Sequence, residues 1–149
     1  MGSSMILVSG CLVGLHCRYD GKRITNPTVL EKMASQQMVF VCPEQLGGLS
    51  TPRPSSQIVG GDGFDVLSGR ARVISENGSD VTDYFLRGAE ETLRYARLVG
   101  ASSAIFKENS PSCGVRKIYK KNRLIDGCGV TTALLLGEHF QVRSPGELD

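Results

Sequence analysis

The stretch MILVSGC, residues 5 to 11, decides how the rest of the chain is read. Met5 to Val8 is apolar without interruption, and the run stops at Ser9, Gly10 and Cys11. A strand wetted on one side alternates apolar with polar residues. A short unbroken apolar run closed by a glycine suits a strand covered on both faces, as in a parallel sheet. Two further runs repeat the pattern: Met38-Val39-Phe40-Val41 empties into Cys42-Pro43, and Ser103-Ala104-Ile105-Phe106 into KENSPSCGV, residues 107 to 115, which holds Cys113.

Helical signals lie between these runs. Asn26 as N-cap and Pro27 at the first helical position lead into TVLEKMASQ. From Ser79-Asp80 onward, Val81, Tyr84, Phe85, Ala89, Leu93 and Ala96 recur at three- and four-residue steps, predicting an amphipathic helix closed by Gly100. Residues 129 to 137 read as a short, deeply buried helix, residues 71 to 75 as a short strand and 140 to 143 as a last one. The Gly- and Pro-rich stretch from Gly47 to Gly63 reads as loop. The alternation predicts an α/β fold, a mostly parallel sheet flanked by helices in a Rossmann-like three-layer arrangement. Ligands of such sheets sit outside the carboxyl ends of the strands. Cys11, Cys42 and Cys113 each follow a predicted strand, so parallel pairing brings all three thiols to one edge.

Composition narrows the function classes. At 149 residues, with 40% hydrophobic and 21% charged, the chain can bury a core without staples. Residues 5 to 149 are expected to form one domain, with Met-Gly-Ser-Ser at 1 to 4 an expression scar. No apolar run is long enough for a transmembrane helix, and no secretory signal is visible, so a cytoplasmic, reducing compartment is expected. A net charge of +2 argues against the strongly basic face of a duplex nucleic-acid binder. Arg116, Lys117, Lys120, Lys121 and Arg123 form a local basic cluster that reads as a solvated loop. Five cysteines cannot all pair with one another. In a reducing compartment, loop cysteines beside glycine and proline serve metal binding or catalysis more often than disulfides.

Three chemistries suit three thiols at one sheet edge. Zinc wants four ligands, commonly in close Cys pairs, and no C-x-x-C occurs; Cys17, Cys128, His16 or His139 would have to complete the set. Thiolates also hold iron–sulfur clusters, and three of them leave one iron of a 4Fe–4S cluster open. A Cys–His nucleophile ranks last, because neither histidine sits in a cysteine-enzyme signature. Glu44 lies two residues after Cys42, Ser110 and Ser112 precede Cys113, and Lys107 and Arg53 could offset thiolate charge. Each also has a plainer reading, as surface loop or turn cap. Cys17 and Cys128 read as packed thiols.

VSGCLVGLHCRYDG (8–21), CPEQLGGLSTPRPSSQI (42–58), KENSPSCG (107–114) and GCGVTTALL (127–135) occur in that order. Together they resemble the thiouracil desulfidase (TudS-like) family over nearly the whole chain from Met5. The resemblance implies an α/β fold carrying a 4Fe–4S cluster on Cys11, Cys42 and Cys113, with the fourth iron free for the sulfur of a thiolated pyrimidine. It implies non-redox release of hydrogen sulfide from 2-thiouracil, with Glu44 in acid–base catalysis and Ser110 holding substrate. The chain departs from the family at VRKIYKKNRLID, which is basic where many relatives are Asp-Gly-rich, and at Gly10, where alanine is common. A basic rim there would suit a nucleotide or thiolated transfer RNA. The competing reading is a non-catalytic zinc or iron–sulfur module that binds RNA through residues 116 to 123.

Overall fold

The computed structural model describes residues 5–148; the Met-Gly-Ser-Ser stretch read as a scar lies outside them. Four strands, β1 (Met5–Ser9), β2 (Met38–Val41), β5 (Ala101–Ile105) and β8 (Gln141–Arg143), form one sheet in the order β2-β1-β5-β8, every pair parallel. The chain leaves β1 first to one side and later returns to the other. The carboxyl ends of β1 and β5 therefore flank a topological switch point, where an open parallel sheet leaves a crevice.

Both faces of β1 are covered, as its unbroken apolar run requires. Leu7 points into a core with Leu93 and Ala96 of α4 (Thr82–Leu98) and Leu135 of α5 (Val130–Gly137). Ile6 and Val8 point the other way, toward Leu12 and toward Val29 of α1 (Pro27–Lys32). Asn26 caps α1 as expected: its side-chain oxygen accepts the Val29 N–H at 3.2 Å. Helix α4 has a second buried flank, where Phe85 and Ala89 meet Ile58, Val73, Ile118 and Val130.

That second core is built by elements the sequence pattern understates. The 47–63 stretch, read as loop, contains β3 (Ser56–Val59), which pairs antiparallel with β4 (Arg72–Ser75) in a sheet of their own. A further helix, α3 (Gly63–Leu67), follows β3. The basic 116–123 segment is likewise no loop: β6 (Lys117–Lys120) and β7 (Arg123–Asp126) form a hairpin turned by Lys121 and Asn122, both at positive φ. In β3 and β6 a single buried residue, Ile58 or Ile118, anchors the strand, so neither shows a hydrophobic period.

Candidate active site

Each of the three cysteines lies beyond the carboxyl end of a parallel strand. Cys11 sits on the 3₁₀ turn Gly10–Leu12, directly after β1. Cys42 follows β2 at the N-cap position of the short helix α2 (Pro43–Leu46), whose first residue is proline. Cys113 lies further along the loop after β5, held by its own backbone: its N–H donates to Ser110 Oγ at 2.7 Å and its carbonyl accepts from Thr132 Oγ1 at 2.9 Å. Beyond the strand ends, the Lys107 N–H donates to Ser9 Oγ at 3.0 Å and ties the two segments together. All three thiols line one cavity of about 500 Å³.

A fourth thiol lines it too. Cys17, read from sequence as a packed thiol, is buried, and its carbonyl accepts from Cys42 Sγ at 3.7 Å. The chain is turned back toward the cavity after Cys11 with Gly14 at φ +87, a conformation that favours glycine. That glycine is the one signal in the sequence for the return. Cys128 stays apart, its sulfur 4.0 Å from Asp62 Oδ2, and it does not line the cavity. Neither His16 nor His139 lines it.

Glu44 is anything but a free surface carboxylate. Arg53, with a side chain only 5% exposed, donates from Nε to Glu44 Oε1 at 2.8 Å. The same guanidinium donates to the carbonyls of Cys17 (2.9 Å) and Ser50 (3.0 Å) and to Thr51 Oγ1 (3.0 Å). Its Nη2 also stands 3.9 Å from Cys42 Sγ. On the other side, buried Ser112 donates from Oγ to Glu44 Oε2 at 2.7 Å. In the sequence Ser112 reads only as a hydroxyl flanking Pro111; the contact spans 68 positions, beyond any local pattern. Ser110 and Lys107 also line the cavity.

Cys17, Cys42 and Cys113 are held as thiols. Burial, chiefly, pushes Cys113 up to about 12. Hydrogen bonding to Cys11, with a smaller contribution from burial, pushes Cys17 up to about 11. Cys42 is raised by its bond to Cys17 and then by burial. A bound metal must therefore displace protons, and a buried cation such as Arg53 lowers the cost of the charge left behind. Among the described residues, no three His, Cys, Asp or Glu side chains converge on a position for one metal ion. The hairpin borders the cavity through Tyr119 and Asn122, while its lysines and Arg123 do not line it.

The 2-thiouracil desulfurase family model matches residues 6–147. The chain belongs to this family. It is 45% identical over 148 residues to the uncharacterized protein YbbK of Bacillus subtilis (strain 168), covering 97% of this chain and 98% of the relative. Among solved structures it is similar to the 4Fe–4S-dependent thiouracil desulfidase TudS, at a TM-score of 0.85 and 38% identity, over 98% of this chain and 93% of that one. The activity of the family is cleavage of a carbon–sulfur bond, which makes this chain an enzyme.

Proposed function

We propose that the chain is a 4Fe–4S-dependent desulfidase that converts a thiolated pyrimidine such as 2-thiouracil into uracil and hydrogen sulfide, with no net redox change. Cys11, Cys42 and Cys113 are the proposed ligands, Glu44 the acid–base group and Ser110 a substrate contact. The observation that carries the reading is that thiols from three strand ends open on one cavity whose wall holds a half-buried carboxylate paired with a buried guanidinium. The donor set fits a cluster: soft sulfur ligands, spread around a cavity rather than gathered on one ion, with Arg53 and Lys107 beside them. When bound, the cluster supplies a Lewis-acidic iron for the thiocarbonyl sulfur.

The protein's own part is binding and proton handling. The flat base enters between the strand ends, where Ser110 offers a hydroxyl. Glu44 takes a proton as water adds to the ring carbon and returns one as sulfide departs, so that C=S plus H₂O becomes C=O plus H₂S. Five free thiols suit a reducing, cytoplasmic setting. Residues from Met5 onward act as one desulfidase domain. An RNA-binding module has less to draw on: Lys117 is paired with Asp126 and Arg116 with Glu147.

The ligand assignment is tested by anaerobic reconstitution of Cys11→Ala, Cys42→Ala and Cys113→Ala. Each variant is expected to lose most of its iron and its thiolate-to-iron absorption. Full iron content in the triple variant would contradict the assignment.

A further inference from the structure

The start of a helix leaves four backbone N–H groups with no partner inside the helix. In α5 they belong to Gly129, Val130, Thr131 and Thr132, and all four are spent on the loop that carries Cys113. Gly129 donates to the Gly114 carbonyl at 2.9 Å and Val130 to that of Pro111 at 2.8 Å. Thr131 and Thr132 both donate to the Ser112 carbonyl, at 2.9 and 3.3 Å. The contact is close, since a Cβ on Gly129 would lie 2.4 Å from the Ser112 carbonyl carbon. One carbonyl of the run is passed over. Among the described residues no backbone N–H reaches the Cys113 oxygen, and its partner is the Thr132 hydroxyl at 2.9 Å. Thr131 is as deeply buried as Thr132, yet its hydroxyl has no hydrogen-bond partner. Of the two neighbouring hydroxyls, only that of Thr132 holds the cysteine.

We infer that Thr132 is a positioning residue of the thiol-lined cavity: its hydroxyl completes the attachment of the loop to α5 and fixes Cys113 for iron before any cluster is bound. The inference rests on the desulfidase reading above, which makes Cys113 a ligand. The bonded carbonyl belongs to the cysteine itself, so freedom gained there is passed directly to its thiol. Other bonds around Cys113 stay within the loop: its N–H donates to Ser110 Oγ at 2.7 Å and the Gly114 N–H to the Ser110 carbonyl at 2.9 Å. They shape the loop without tying the cysteine to the rest of the fold. Helix α5, packed against α4, supplies that tie. Without the hydroxyl, a buried carbonyl is left with no donor, and the loop satisfies it only by opening toward water. Thr132 does not line the cavity, so it acts through Cys113 and not on substrate.

The test compares the wild-type protein with Thr132→Val, Thr132→Ser and Thr131→Val in two measurements. The first is the decay of cluster absorption in anaerobically reconstituted protein under excess iron chelator. The second is the rate at which iodoacetamide alkylates Cys113 in the cluster-free protein, read by mass spectrometry. Thr132→Val, which keeps the shape and removes the hydroxyl, is expected to speed both about 5- to 10-fold, the scale of one lost buried hydrogen bond. Thr132→Ser, which restores a hydroxyl, should stay near the wild-type rates. Thr131→Val makes the same chemical change on the same turn of helix and should also stay near them, because the hydroxyl it removes has no partner. Wild-type rates in Thr132→Val, no recovery in Thr132→Ser, or an equal acceleration in Thr131→Val would each overturn the inference. Wild-type protein that takes up no iron would instead remove the cluster reading, while the order of alkylation rates would still decide whether Thr132 holds Cys113.

Discussion

Cys128 shows what a buried thiol does in this chain when it has no place in the cavity. Burial, with the Asp62 charge second, raises its thiol from 9.0 to about 12. A folded-state value above the unfolded one stabilises the protonated form. The contribution is therefore fully present below pH 9 and lost as pH rises toward 12. The urea midpoint of the metal-free protein is expected to fall above pH 9, and to fall less in Cys128→Ala; equal falls in both would contradict this account. Cys128 and Cys17 look alike in sequence, each in a glycine-rich neighbourhood. Only the fold separates them, by folding the Cys17 segment back onto Cys11 and Cys42 and setting Cys128 against Asp62. Glu44 was legible as a carboxylate two residues after Cys42. Its partner Ser112 was legible only as a nearby hydroxyl, because their pairing depends on how β2 and β5 are placed in the sheet.

At the scale of elements, the short helix α2 carries Glu44 and follows Cys42, yet four residues cannot hold themselves in place. It is held by close backbone contact with α4: a Cβ on Gly88 would lie 2.1 Å from the Pro43 carbonyl oxygen, and one on Gly47 would lie 2.0 Å from that of Tyr84. Gly88→Ala is expected to push α2 away, lowering the melting temperature and the iron retained on reconstitution. Overpacking of this kind costs about 1–3 kcal/mol, and more where backbone must move. Unchanged iron content and melting temperature would contradict it. Asn26→Ala, at the cap of α1, should cost about 1 kcal/mol and leave kcat as it was. Elements that feed the parallel sheet were readable because their strands are covered on both faces and their helices repeat at regular steps. Strands β3, β6 and β7 were not, since tertiary contact with α4 and α5 supports them rather than any run of apolar residues.

The whole molecule places its charges in two settings. The hairpin cations are exposed and in part paired, whereas Arg53 is enclosed with Glu44. Salt screens the first and hardly reaches the second. Raising salt from roughly 50 to 500 mM should leave KM for uncharged 2-thiouracil within about twofold, while a protein that held RNA on the hairpin would lose affinity steeply. Among the described residues no helix is long and apolar enough to cross a membrane. The strand order β2-β1-β5-β8 explains how cysteines about 30 and 70 residues apart in sequence come to share one cavity. The most direct measurement is incubation of the anaerobically reconstituted protein with 2-thiouracil and no added electron donor, counting uracil and sulfide. The account predicts the two in equal amounts over many turnovers. Uracil without sulfide, turnover that needs a reductant, or equal activity in the protein without iron would contradict it.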